Sequence, residues 1–363
     1  MKNPKVLVCP LDWGLGHATR CIPIIRHLKQ SGAQVIIASD GPQLTLLREE
    51  FPDLEYILLP GYKMTYNRFM PIAFKVLTEV PRLFLKITKE NKLLKSIIKE
   101  KDIDVVISDN RYGLWNKKAY SVLITHQVNI IVPPTLKIAS QWLQSLTHKY
   151  IRRFDECWIP DFEGKQNLSG DLSHGTNIPS NCKYIGILSR FDRSASRSVP
   201  ERRYEIIAIV SGPETQRTIF EEKLLAQLPL NDKPCLLIRG IPGNTKIKTL
   251  RRSLDVADHL TSDELEGILR SGPMVICRAG YSTLMDIAFS GNKAILVPTP
   301  GQTEQEYLAA NLSKAGVFYT TSQKRMNLPD AFSKASLLNG IQLSDEKTGY
   351  KAVLNELLNK FRQ

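Results

Sequence analysis

Val275-Ile276-Cys277 is an apolar run too short to be a helix, and it closes at once on Arg278-Ala279-Gly280. Ser282 and Thr283 then fall where an amphipathic stretch begins, and a second apolar strand leads to the polar loop Pro298 to Glu306. The order strand, glycine turn, helix, strand is that of a parallel α/β unit, because parallel strands must be joined by a crossover. The chain opens in the same way. Lys5 to Cys9 is a buried-strand pattern, followed by a loop with Gly14 and Gly16, a helix to about Lys29 that Gly32 ends, and a strand from Gln34 to Ala38. Two such openings predict two doubly wound α/β halves.

At 363 residues there is length for both halves, each with its own core. Phe191 to Arg203 is rich in Ser and Arg and poor in apolar residues, which is linker chemistry. The expected organisation is residues 1–190 as a first domain, 204–345 as a second and 346–363 as a terminal helix, with a basic amphipathic insertion at about 61–100. Further strands are read at Glu55 to Leu59, Ile103 to Ser108, Val122 to Thr125, Glu156 to Ile159, Lys183 to Ile185, Tyr204 to Val210 and Leu236 to Arg239.

No stretch reaches the ~18 to 20 apolar residues of a transmembrane helix, and no signal-peptide pattern opens the chain. The expected location is the cytoplasm, with peripheral attachment to the inner face of its membrane as an option. The six cysteines are scattered without metal-ligand spacing and are expected to be reduced and without function. Net charge is +13, and between Pro60 and Arg153 there are 17 basic against 6 acidic residues. Such a face attracts anionic lipid, nucleic acid or phosphorylated substrates. Leu83, Phe84, Ile87, Leu94, Ile97 and Ile98 follow helical spacing opposite Arg82, Lys86 and Lys89, and a second basic helix is expected from Thr135 to Arg153. The first reads equally as a core-facing helix with a solvated basic side or as a membrane-surface helix, with Phe69, Met70, Ile72 and Phe74 as insertion residues.

The helix start at Ser282 and Thr283 suits a phosphate, through backbone N–H groups and the positive end of the helix dipole. Asp286, one turn further in, can accept two sugar hydroxyls, and Arg278 can supply charge to a diphosphate. His17 follows Gly16 in Gly-x-Gly-His-x-x-Arg, where an imidazole titrating near neutrality can take a proton from a hydroxyl nucleophile. Asp109 closes the fourth strand, where strand ends line a ligand crevice, and can pair with His17 or with Arg111. A dinucleotide site is disfavoured, since Thr19 stands where Gly-x-Gly-x-x-Gly needs its third glycine. No metal is expected, because Asp102-Ile103-Asp104 enters a strand rather than leaving it.

Arg-x-Gly-x-(Ser/Thr)-(Ser/Thr)-x-x-(Asp/Glu), then Pro, then a late Gln-containing pair, resembles the donor signature of GT-B glycosyltransferases. The likeness is to the lipid-intermediate N-acetylglucosaminyltransferase of peptidoglycan synthesis and to the UDP-glycosyltransferases. It implies two Rossmann-like domains facing a central cleft, with the C-terminal helix packing back on the first. By this resemblance Asp286 holds the ribose, Arg278, Ser282 and Thr283 hold the diphosphate, and Gly280 is a donor contact. Glu304, Gln305 and Glu306 grip the donor sugar, Ser211 and Gly212 meet phosphate, and the backbone near Leu260 reads a uracil base. His17 would be the base for the acceptor hydroxyl and Asp109 its partner, with Gly16 before it a donor contact; Arg20, Arg111 and His126 are the expected acceptor contacts.

The resemblance thus implies metal-independent, inverting transfer of a hexose or N-acetylhexosamine from a UDP-sugar to a lipid-linked or cell-envelope hydroxyl, with no cofactor. Asp286 in place of the usual Glu, and Glu306 in place of a second Gln, depart from the pattern. Two rivals remain open. The first loop also resembles the UDP-sugar hydrolase of pseudaminic acid synthesis, and the basic patch suits a nucleic-acid-binding protein, although no nucleic-acid module is recognisable and no nucleic-acid partner is expected.

Overall fold

A computed structural model describes residues 3–61, 72–131, 137–164, 166–175, 177–191, 204–241, 246–341 and 349–362, the side chains of 72–82 and 137–140 excepted. The chain forms two compact units, Met1–Ile187 with Thr348–Gln363, and Leu188–Lys347.

The first unit carries β1 (Lys5–Cys9), α1 (Leu15–Gln30), β2 (Gln34–Ser39), α2 (Gly41–Glu50), β3 (Glu55–Leu58), α3 (Ile72–Lys101), β4 (Val105–Asp109), β5 (Tyr120–Ile124), α4 (Lys137–Ile151), β6 (Glu156–Ile159) and β7 (Cys182–Tyr184). Its seven strands pair in parallel in the order β3-β2-β1-β4-β5-β6-β7. The order turns outward on both sides of β1 and β4, so the loops after those two strands leave the sheet side by side. That is the switch point of a doubly wound sheet, where ligands bind outside the strand C-termini.

The central strands are apolar on both faces because helices cover both. Leu94 and Ile98 of α3 pack with Leu7, Ile36 and Val106, while Cys21, Ile22, Ile25 and Leu28 bury one side of α1. Each such side chain contributes about 1.5 to 3 kcal/mol on burial. The basic stretch is therefore in part a core helix: the second half of α3 turns Ile87, Leu94 and Ile98 inward and leaves Leu85 exposed. Phe69 and Met70 lie outside the described residues, as do the side chains of Ile72, Phe74 and Arg82. The terminal α10 (Gly349–Asn359) belongs to this unit. His27 Nε2 of α1 meets Asn355 Oδ1 at 2.8 Å, and Lys360 Nζ donates to Glu156 at 3.0 Å.

The second unit holds β8 (Ile206–Ile209), α5 (Gln216–Leu225), β9 (Cys235–Ile238), β10 (Lys248–Arg251), β11 (Leu254–Ala257), α6 (Ser262–Arg270), β12 (Met274–Cys277), α7 (Tyr281–Ser290), β13 (Ala294–Leu296), α8 (Thr303–Lys314), β14 (Tyr319–Thr320) and α9 (Leu328–Ser336). Its sheet runs β10-β11-β9-β8-β12-β13-β14, parallel except for the β10–β11 hairpin. Periodicity along the chain does not reveal this hairpin, for a physical reason. All four residues of β10 are exposed, and the turn is Arg252-Ser253, with Ser253 at φ 59°, where a glycine or asparagine would have signalled it. Leu188, Ser189 and Arg190 belong to this unit, where Leu188 N and Ser189 Oγ bond to Met285 and Asp286 of α7. Residues 192–203 of the expected linker lie outside the described residues.

Candidate active site

In the first unit, Gly14 at φ 74° turns the chain out of β1 and into α1 with no side-chain cap. His17 is in the first turn of α1, directly after Gly16, and Arg20 is three residues on, so both project from the same face of the helix. Asp109 ends β4, and His126 follows β5, beside it in the sheet. Parallel register thus brings together residues about 90 positions apart.

His17 Nδ1 is 2.8 Å from Asp109 Oδ2. Arg20 Nε donates to Asp109 Oδ1 at 2.7 Å, and its Nη2 bonds the same oxygen. Burial by itself opposes ionisation of Asp109, which is fully enclosed, but the charge of Arg20 and the bonds from His17 and Arg20 more than offset it and hold the carboxyl below its ordinary range. Nδ1 lies between Asp109 Oδ2 and Arg20 Nη2, each at 2.8 Å; it donates to the carboxylate in one tautomer and accepts from the guanidinium in the other, and a base facing solvent needs the first, with the proton on Nδ1. In that tautomer Nε2 is left with the lone pair. Burial, then the neighbouring Arg20, lower the His17 pKa, with Asp109 pulling it the other way, so the ring is neutral near pH 7. A neutral imidazole held in one tautomer by a buried carboxylate is the arrangement of a general base. His17 keeps 14% of its side chain exposed while Asp109 keeps none, so the imidazole reaches solvent and its partner does not.

The expected acceptor contacts stand differently. Arg20 is 2% exposed and spends its guanidinium on Asp109, on His126 Nδ1 at 3.2 Å, and beside His17. Arg111 is 1% exposed and pairs with Glu90 of α3 at 2.5 Å, donating also to the carbonyls of Pro10 and Pro60. Neither faces outward to meet an acceptor: each is neutralised inside the fold, because a buried guanidinium needs a carboxylate and carbonyls around it. Glu90 also accepts from Gly113 N at 3.0 Å, and a Cβ on Gly113 would come within 2.6 Å of Ile87 O. The loop after β4 is thereby fastened to α3. His126 is 3% exposed.

In the second unit, α5 follows β8 and α7 follows β12, and both begin without a side-chain cap, at Thr215 and Gly280. By contrast α6 carries a full capping box of Thr261 and Glu264, and α9 is capped by Asn327. Ser282 and Thr283 are half-buried in the first turn of α7, and Ser211 and Gly212 lie between β8 and α5, with Gly212 at φ 111° facing Thr299. Leu260 is buried just ahead of α6.

Arg278 is fully buried. It donates to the carbonyls of Val297 (3.1 Å), Pro298 (3.3 Å) and Gln216 (2.9 Å) and to Gln323 Oε1 (2.5 Å), while its guanidinium lies 4.0 Å over the Phe220 ring. Burial pulls its pKa down to about 10. The residue expected to contact a diphosphate braces the loops after β12 and β13 and the start of α5 through its two Nη groups, while its buried Nε has no hydrogen-bond partner. Asp286 is also committed. Oδ1 accepts from Ser189 Oγ (2.8 Å) and Arg190 N (3.2 Å), and Oδ2 from Arg190 Nε (2.9 Å). Three of about four acceptor positions on the carboxylate are filled within the fold, leaving about one open. Burial raises its pKa despite Arg190.

Gln305 and Glu306 support their own loop. Gln305 Oε1 accepts from Thr299 N at 2.9 Å, its Nε2 donates to Gln302, and Glu306 Oε1 accepts from Gly301 N at 2.9 Å. Glu304 is half-buried in the first turn of α8. Ser189 and Arg190 belong to no motif in the sequence; their only signal there is their place just ahead of a polar linker. Among the described residues, no group of three or more His, Cys, Asp or Glu side chains is placed to hold a metal ion.

Residues 241–345 match the model of the glycosyltransferase family 28 C-terminal domain. Over its whole length the chain is similar to an uncharacterised glycosyltransferase of Methanosarcina mazei, 24% identical with 98% of each chain covered. It is similar as well to the UDP-N-acetylglucosamine–N-acetylmuramyl-(pentapeptide) pyrophosphoryl-undecaprenol N-acetylglucosamine transferase of Listeria monocytogenes, 23% identical with 92% of each covered. The fold is that of the glycosyltransferase SnogD from Streptomyces nogalater, with TM-score 0.63 at 12% identity, covering 99% of this chain and 100% of that one. The chain is thus a glycosyltransferase with the GT-B fold. Within that class its residues 241–345 resemble the family 28 C-terminal domain, and the chain resembles the N-acetylglucosaminyltransferase of peptidoglycan synthesis.

Proposed function

We propose that this glycosyltransferase moves a hexose or N-acetylhexosamine from a UDP-sugar to a hydroxyl of a lipid-linked or cell-envelope acceptor, inverting the anomeric carbon, with His17 as general base. The observation that carries the reading is the 2.8 Å bond from His17 Nδ1 to the fully buried Asp109 carboxylate. In the proposed step the acceptor O–H proton passes to Nε2 as its oxygen bonds to the anomeric carbon. The bond from that carbon to the diphosphate breaks on the opposite side, and UDP leaves with the electron pair. Asp109 stabilises the imidazolium that forms.

The leaving diphosphate is met by the uncapped start of α7, where Ser282 and Thr283 stand and the helix dipole is positive. No metal or other cofactor takes part in this scheme. Asp286 contributes one ribose contact, with uracil near Leu260 and the donor sugar near Glu304, Gln305 and Glu306. The UDP-sugar and the lipid acceptor are supported by the activity for which the Listeria relative is named, and by the excess of basic residues between Pro60 and Arg153. None of the helices among the described residues is long and apolar enough to cross a membrane, so approach to a lipid acceptor would be from the surface.

The test is UDP release from a panel of UDP-sugars, with and without a lipid extract, for the wild type and His17→Ala. Release that needs both lipid and His17 supports the reading. Equal release in buffer alone would favour hydrolysis, and no binding of any UDP-sugar would overturn the donor assignment.

A further inference from the structure

Arg20 is placed as no substrate contact would be, and the surrounding geometry gives it another task. It is 2% exposed, three residues from His17 on the same helix, and its three nitrogens together meet Asp109, His17 and His126, with Nη2 shared between Asp109 and His17. Nε donates to Asp109 Oδ1 at 2.7 Å, Nη2 lies 2.8 Å from His17 Nδ1, and Nη1 donates to His126 Nδ1 at 3.2 Å. We propose that Arg20 is the positioning residue of the active site: it keeps Asp109 a carboxylate that can accept from Nδ1, and its own charge opposes a second proton on the His17 ring. The inference rests on the reading of His17 as the base and adds what controls that base.

The physical argument is a balance of two charges. A histidine beside a buried carboxylate alone would be drawn toward its protonated form, and an imidazolium cannot accept a proton from a hydroxyl. A guanidinium within hydrogen-bond distance of the same ring works against this, and in a buried site it is screened little. The titratable and charged groups facing His17 are Asp109 from β4, Arg20 from α1 and His126 after β5; Cys21 and Tyr112 adjoin Asp109 and Arg20. Arg20 is the only permanent cation among these. The same side chain orients His126, whose Nδ1 accepts from Nη1.

The experiment is titration of the His17 imidazole by NMR in full-length wild type, Arg20→Met and Arg20→Gln, with His17→Ala to assign the signal, alongside the pH profile of kcat/KM. Both substitutions remove the cation, and Gln keeps a polar donor in case Met does not fold. The expected result is a midpoint for His17 at higher pH in either variant. The acid limb of kcat/KM should move with it, so that activity falls roughly ten- to a hundredfold at the acidic end and recovers as pH rises. A purely structural Arg20 would lower activity at every pH without moving the limb. An unmoved His17 midpoint in a folded variant, or a moved midpoint with an unmoved limb, overturns the inference. Full activity of His17→Ala would instead overturn the assignment of the base, and the NMR midpoint separates the two failures.

Discussion

The two polar clusters, one in each unit, look alike in sequence and are used in opposite ways. Around His17 the charged residues lie on separate elements, α1 and β4, and their bonds leave one imidazole nitrogen with a lone pair and 14% of the side chain exposed. Around Arg278 and Asp286 the charges are also buried, but their bonds run back to the loops that carry them. The first cluster prepares a reactive atom. The second holds a backbone in shape. A charged residue in a motif can therefore serve either purpose, and its hydrogen-bond partners decide which.

The largest expected effect is at the reactive atom. His17→Ala should lower kcat by about 10² to 10⁴, the usual worth of base catalysis, with donor affinity retained; an equal fall in donor binding would mean that His17 is part of the donor site instead. Asp109→Asn follows. Its amide can turn its N–H toward Nδ1 and favour the wrong tautomer, for an expected loss of roughly a hundredfold or more in kcat. Near-normal turnover would show that Asp109 only braces Arg20.

The pattern should invert in the second unit. Arg278→Ala removes a cation from four buried acceptors and should cost about 2 to 4 kcal/mol in urea unfolding of that unit. A raised donor KM with unchanged stability would restore Arg278 to the diphosphate. Asp286→Glu is smaller still: its extra methylene reaches further toward a ribose but strains the bonds to Ser189 and Arg190, so a change in donor KM of about two- to fivefold is expected, against little change in kcat. Removal of divalent ions with EDTA should leave the rate unchanged; loss restored by a metal would break the proposed scheme at its diphosphate.

The pH dependence has a definite sign. His17 has its pKa lowered by burial and by Arg20, so in the proposed role of base it should act above that lowered value, with activity expected to fail as pH falls through it. The acid limb belongs below the ordinary histidine value of about 6.5.

Much of the architecture is legible in the residues themselves. Short apolar runs such as Lys5–Cys9 and Met274–Cys277, each followed by a glycine turn and a helix, point to the α/β class because few other arrangements bury strands on both faces. The pairing of His17 with Asp109 is legible too, from the rule that strand ends at a switch point share a crevice. The bonds of Arg20, Arg111, Arg278 and Asp286 are not. Arg111 stands closest in sequence to Asp109, yet it pairs with Glu90 while Asp109 takes Arg20 from another element. Spacing along a chain says which residues are near in sequence, and an ion pair is chosen by which charges are buried together.

The sequence by itself determined the two α/β halves, the glycine loop that carries His17 and the strand that ends in Asp109, because these follow from local periodicity and turn chemistry. Only the tertiary structure decided that Arg20 is spent on Asp109, that Arg278 braces loops and that Asp286 holds Ser189 and Arg190. Those outcomes depend on burial. A charge taken out of water must find its partners wherever the fold places them, and that placement is set by packing across the whole sheet.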